Sequence, residues 1–217
     1  VLLAKGLKVE YLTRSAANAV DMFSFWPSDA APTHLIACIE GGRSQLTGDA
    51  DTSAYAPGDK FNPSVQRIDL ATGAVETILR GMTACDGIRT TPWGTVLATE
   101  ETDDGGAYEI LDPLAITNHT IKDRATGEIV DAAGATVTTA IAKRTALPTI
   151  AWEGLDITHD GVVYAGDEER PGTTADGGGS TNDRDGGAIF KFVPSVAWTG
   201  AAVINLTGLT FSAAFDQ

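Results

Sequence analysis

Two segments of this chain repeat each other at a constant offset, and a repeat restricts the available folds more than any composition can. Set "CDGIRTTPWGTVLATEE", from Cys85, over "WEGLDITHDGVVYAGDE", from Trp152. Asp86 then matches Glu153, Gly87 matches Gly154 and Ile88 matches Leu155. Further along, Gly94 matches Gly161, Val96 matches Val163, Ala98 matches Ala165, and Glu100 with Glu101 match Asp167 with Glu168. Each copy runs on to a Gly-Gly-Ala strand, "GGAYEILDP" and "GGAIFKFVP", the second delayed by "RPGTTADGGGSTND". A fainter copy upstream, "THLIACIEGG", sets Ala37 and Glu40 at the places of Ala98 and Glu101.

The unit is built of strands. Short alternating runs such as "SVQRIDL", "GTVLATE" and "GVVYAGD" are punctuated by Gly, Pro and Asp, which is β patterning. "DLATGAVETIL" reads as a hairpin turning at Ala71-Thr72-Gly73. The one weakly helical stretch, "DAAGATVTTAIAKRTA", carries too much Thr, Val and Gly to favour a helix. A strand-rich unit as long as the interval from Cys85 to Trp152 fits one blade of a β-propeller with its inter-blade loops, and 217 residues hold three to four such units. The expected organisation is one partial propeller domain over 1–217, with repeat units about 25–85, 86–152 and 153–217. An open array leaves sheet edges bare, so the remaining blades are expected from further chain or a second subunit. A stand-alone β-sandwich is the alternative.

Charge narrows the partners. Lys and Arg number 15 against 29 Asp and Glu, a net charge of -14, which disfavours nucleic acid and anionic lipid surfaces. No apolar run reaches the roughly 20 residues of a membrane span, and no charged-then-apolar leader opens the chain. The chain starts at Val rather than Met, which suggests that something upstream is missing.

Equivalent positions of successive blades face one channel, so repeated acids are expected to gather there. Glu40, Glu101 and Glu168, with Asp86 and Glu153, would form a ring of carboxylates. Clustered carboxylates repel unless a cation joins them, and calcium, magnesium, manganese or iron suit oxygen ligands. Side chains alternate along a strand, so only one of Glu100 and Glu101 should reach a shared ion. The repeat favours Glu101 and Glu168, leaving Glu100 and Asp167 as outer or alternate ligands. The plain alternative is that these acids end strands and meet solvent.

Cys85 occupies a repeat position filled by Trp152 in the next copy, and beside carboxylates a thiolate would select iron or another transition metal over calcium. The two cysteines, Cys38 and Cys85, could equally pair or lie buried, and the "LIACIE" context of Cys38 suggests core packing. Arg89 is a candidate clamp for phosphate or carboxylate, or else an ion-pair partner of a nearby acid. Trp93 and Trp152 read as aromatics covering strand ends. His34, His119 and His159 lack ligand spacing. "ADGGGSTNDRDGG", 175–187, has the composition of a calcium loop without its closing Glu and reads better as a flexible hairpin loop. "NHT" and "NLT" fit a glycosylation acceptor pattern.

The segments "TPWGTVLATEE", "WEGLDITHDGVVYAGDEE" and "GGAIFKFVP" resemble those of the PhoX-type alkaline phosphatases and their bacterial relatives. The resemblance spans roughly Val1 to Pro194 and is densest from Cys85 to Glu101. It implies a six-bladed propeller, exported to the periplasm or cell surface, that hydrolyses small phosphate monoesters with calcium and iron. It further implies an iron-binding role for Cys85 and metal-binding roles for Glu100, Glu101, Glu153, Asp167 and Glu168. Two departures stand out: Cys-Asp-Gly-Ile replaces the usual Cys-Ala-Gly-Gly, and Trp152 stands where a His is usual. Two other functions therefore remain open: a noncatalytic, calcium-stabilised surface or assembly module, and a lactonase-like calcium hydrolase.

Overall fold

The computed structural model describes residues 3–43, 61–168 and 188–195. Within them the chain forms strands and no helix. The first meander is β1 (Val20–Trp26), β2 (His34–Ile39), β3 (Pro63–Asp69) and β4 (Val75–Arg80), each antiparallel to the last. The second opens with β5 (Cys85–Thr90), β6 (Val96–Glu100) and β7 (Ala107–Ile110). Then β8 (His119–Asp123), β9 (Glu128–Val130) and β10 (Thr136–Val137) leave it and extend the first sheet through a parallel β4–β8 pair. The chain returns to β7 with β11 (Ile141–Lys143), and the third meander is β12 (Trp152–Ile157), β13 (Val163–Asp167) and β14 (Ile189–Phe192). The stretch that had looked faintly helical supplies β10 and β11, as its β-branched content dictates.

Turn chemistry follows the sequence. Asp69 folds its carboxylate over the Ala71 and Thr72 amides at 2.9 and 2.7 Å, and Gly73 takes the left-handed conformation at φ 72°. The matched glycines Gly94 and Gly161 do the same work in two copies. Both lie at positive φ and both donate to a threonine carbonyl three residues back, Thr91 at 3.0 Å and Thr158 at 2.9 Å.

Period-two alternation decides how the sheets stack. In β6, Val96 and Ala98 enter one core with Ile36, Val65, Ile78, Ile88 and Ile121, while Leu97 enters another with Trp93, Trp152, Leu155 and Val163. The second sheet is thus buried on both faces, between the first and the third. Its strand β6 is apolar on both sides for that reason, and each such Val or Leu contributes about 1.5–3 kcal/mol. The first strands of the meanders, β1, β5 and β12, pack beside one another.

One buried charge needs an explanation. Glu109 of β7 is fully buried and accepts the Trp93 indole N–H at 2.7 Å, the Thr95 hydroxyl, and Arg144 Nε at 2.7 Å. Trp93 therefore does more than cover a strand end: it closes a polar network inside the core. Glu109→Ala leaves Arg144 buried without its counter-ion, and urea unfolding should show a loss of about 3–5 kcal/mol. A loss below about 1 kcal/mol would show that water reaches the arginine.

Candidate metal centre

Each meander builds the same local structure at the start of its first strand. Register slips between Val20 and Phe23 in β1, between Cys85 and Ile88 in β5, and between Trp152 and Leu155 in β12. These are β-bulges, which re-aim side chains and are enriched near functional sites. The acid in each is Asp21, Asp86 or Glu153. A backbone hydrogen bond then ties the residue just before the strand to a second acid: Glu40 N to Ala19 O at 2.8 Å, Glu101 N to Ala84 O at 2.7 Å, and Glu168 N to Ala151 O at 2.9 Å. Ala19 and Ala84 hold positive φ, 61° and 46°, a conformation alanine adopts only at a cost of about 1–2 kcal/mol. Bulge and clamp therefore pair an acid with an acid in every copy: Asp21 with Glu40, Asp86 with Glu101, Glu153 with Glu168.

Because β5 and β12 lie side by side, the second and third pairs converge. Asp86, Glu101 and Glu153 each place a carboxylate oxygen within 4.8 Å of the others. Asp86 is 3% exposed, Glu101 half-buried and Glu153 exposed, so the group is sunk at one edge and open at the other. Burial, followed by a hydrogen bond and charge repulsion from Glu153, pushes the Asp86 carboxyl up to about 8. Asp21 and Glu40 add repulsion. Burial, then a hydrogen bond and repulsion from Glu168, pushes Glu101 up to about 8 as well, with Glu153 and Asp86 contributing. The leading influences on both groups are burial and other carboxylates, and no cation is among them. Carboxyls so placed share protons or bind a cation.

The glycine after the acid in β5 is needed for this packing. A Cβ on Gly87 would stand 2.5 Å from Thr99 Oγ1 and 3.1 Å from Leu155 Cβ, so the bulge passes between neighbours that leave no room for a side chain.

Among the expected ligands, Glu101 and Glu153 lie in the cluster and Glu168 is bonded to Glu101. Asp167 sits alongside, its carboxylate accepting the Ala151 amide at 3.2 Å. Three expectations are corrected. Glu100 leaves β6 on the opposite face, as strand alternation requires. It is 1% exposed and engages the Thr83 amide at 2.8 Å, the Gly106 amide at 3.0 Å and Arg124 Nε at 2.8 Å. It is an internal tie rather than a ligand.

Cys85 is joined to Cys38 in a disulfide, so it presents no thiolate and the donor set does not fit iron held by sulfur. Arg89 lies at the other end of β5, about 10 Å from Asp86 along the strand. It pairs with Asp156 at 3.6 Å beside an open cleft of about 630 Å³ that Phe23 and His159 also line. It cannot clamp a group held by the acids. Asp21 was not anticipated, because "VDMFSFW" lacks the acid-Gly pair that marks the other two bulges, and only its place about one repeat length ahead of Asp86 could have signalled it. Segment 175–187 lies outside the described residues.

What remains is a set of oxygen donors, which fits calcium or a similarly hard divalent cation. No family model, no curated protein and no solved structure matches the chain.

The raised carboxyls set a pH dependence. Unfolded, Asp86 and Glu101 release their protons near pH 4, whereas folded they retain them to about 8. Between those values the folded state binds more protons, so metal-free protein should lose stability as pH rises from about 4 to about 8, with the full penalty above. Melting temperature measured in chelator should fall across that window, less steeply in Glu101→Gln. Millimolar calcium should flatten the curve. A chelated protein whose stability climbs over the same range contradicts the clustered carboxyls.

Proposed function

We propose that the chain forms part of a β-propeller whose channel holds a calcium-class divalent cation, and that it hydrolyses phosphate monoesters there. The observation that carries the reading is the convergence of acids from two successive meanders, Asp86 and Glu101 of the second and Glu153 of the third, on one point. Asp86, Glu101 and Glu153 would be the direct ligands. Glu168, hydrogen-bonded to Glu101, would fix the orientation of that carboxylate, and Glu40 and Asp21 would add negative charge from the first meander. A bound cation supplies positive charge that neutralises phosphoryl oxygens and stabilises the charge developing on the leaving group. The open side of the cluster, at Glu153, leaves room for a substrate oxygen. The "TPWGT" turn followed by paired glutamates, similar to PhoX-type phosphatases, supports the substrate class. The Cys38–Cys85 disulfide supports an oxidising compartment, the periplasm or cell exterior.

A second reading draws on a specific observation. With Cys85 oxidised and Arg89 at the far end of its strand, the two candidates other than carboxylates for catalytic work are both removed from the cluster. On that reading the cation is a structural plug in a noncatalytic module.

Isothermal titration calorimetry with calcium, alongside turnover of p-nitrophenyl phosphate, separates the readings. Glu101→Gln should weaken calcium binding at least about tenfold and remove turnover, while melting no lower than the parent in chelator because a repelling charge is gone. Calcium binding without phosphoester turnover would assign the plug, lactone turnover would assign the lactonase-like hydrolase, and absence of calcium binding would overturn the site.

A further inference from the structure

The acid cluster is assembled from separate sheets, so its geometry depends on how the sheets are held against one another. Among the described residues β2 bonds only to β1 and β3, and β5 only to β6, so within them no strand ladder joins the first sheet to the second at this end. The Cys38–Cys85 disulfide crosses that gap, with Cα atoms 5.1 Å apart. Cys38 precedes Glu40 by two residues and Cys85 immediately precedes Asp86. The bridge is thus anchored beside one acid of the first copy and one of the second. Cys38 Sγ also lies 3.8 Å from the Gly87 carbonyl, within the β5 bulge.

At the far end the same two sheets are pinned differently, by Ser24 and Thr90 hydroxyls at 2.9 Å and by the Thr90 hydroxyl on Phe25 O at 2.6 Å. At the joint between the second and third sheets the position of Cys85 is taken by Trp152. Its indole N–H donates to Gly105 O at 3.1 Å, and a single β-bridge pairs Glu101 with Ala151. That joint is held by packing and hydrogen bonds, whereas the first has, at the end where the acids emerge, a covalent bond and the Ala84 N to Gly41 O contact at 2.9 Å as well.

Asp86 is thereby fixed to the first sheet through the cysteine next to it. We infer that the Cys38–Cys85 disulfide is a positioning element of the cation site, holding the Asp86 bulge against the first sheet so that the carboxylates stay at ligand spacing. The inference rests on the cation site proposed above. Reduction by a dithiol transfers two electrons and two protons: the Cys38–Cys85 bond breaks, two thiols form, and the reductant closes its own disulfide. The acids then relax apart and the cation is held less tightly.

The test compares calcium affinity by calorimetry in the oxidised protein and in Cys38→Ala/Cys85→Ala, with circular dichroism reporting the fold. A folded variant should bind about tenfold more weakly, the range expected for groups that orient ligands. Equal affinity within twofold would overturn the inference. Cys38→Val/Cys85→Ala serves if the first variant unfolds. Linkage provides a reciprocal readout on the native chain: saturating calcium should shift the dithiothreitol equilibrium about tenfold toward the disulfide, about 30 mV. The reduced protein must keep its native spectrum in that measurement, and Glu101→Gln should lose the shift. A folded reduced protein with no shift overturns the role. Unfolding of both variants and of the reduced chain would assign the bridge to the whole fold and overturn its specific role. No calcium binding by oxidised protein would instead bring down the cation site itself, a result visible before any cysteine is changed.

Discussion

Mutual repulsion among carboxylates is the constraint around which this structure is arranged. Asp86 is almost wholly removed from water and has Glu153, Asp21 and Glu40 for electrostatic neighbours. A chain left to relax would turn these side chains outward. It is prevented by backbone features that recur in every meander: a bulge at the first acid, and an amide of the second acid bonded to the residue ahead of the bulge. Two of those residues are alanines at positive φ, so local strain is added to electrostatic strain. Backbone strain is thus held at the same place in two of the three copies.

The surrounding fold supplies the stiffness. The middle sheet is buried on both faces because alternate residues of β6 feed two different cores, and β6 runs directly into Glu100 and Glu101. Those two neighbours divide the labour by strand geometry alone. Glu100 turns to Arg124 and to the Gly106 and Thr83 amides, fastening the extension of the first sheet to the second; Glu101 turns the other way, to the cluster. Glu109 performs a similar internal service with Arg144 and Trp93. Much of the acid excess nevertheless meets solvent, and the buried acids divide between internal ties that have cationic partners and the cluster, whose leading influences include none.

Much of this was legible in the sequence and some was not, for reasons that can be located. The strands and the Asp69 to Ala74 turn follow from alternation and turn residues, which are local. The acids at 86, 101, 153 and 168 were visible because a repeat reports equivalence in space without any knowledge of the fold. The two-residue period allowed only one of Glu100 and Glu101 to face the cluster, and the repeat favoured Glu101. Asp21 escaped because its copy has Met22 where the others have glycine, so the bulge is built on different residues. The Cys38–Cys85 bond stayed one alternative among several because a separation of 47 residues carries no signature; it depends on two sheets being laid face to face. Arg89 misled because closeness in sequence is not closeness in space: three residues along an extended strand are enough to carry it to the other end of the layer.

The repeat is most informative where it is broken. Cys85 and Trp152 occupy equivalent places, and each secures the joint to the preceding sheet, one by a covalent bond to Cys38 and the other by indole packing and a hydrogen bond to Gly105. Two unrelated side chains thus meet one requirement, that the first strand of a meander be fixed to its predecessor where the acids emerge. Glycine at 87 meets a companion requirement that the β5 bulge occupy almost no volume, since a side chain there would meet Thr99 and the neighbouring strand; at Gly154 the space is open. Since the acids on either side of each joint repel, whatever fixes the joint also fixes the spacing of the oxygens. Sheet packing and the spacing of the clustered acids are for this reason set by the same few residues, and a change at a joint should be felt at the cluster even where no acid is touched.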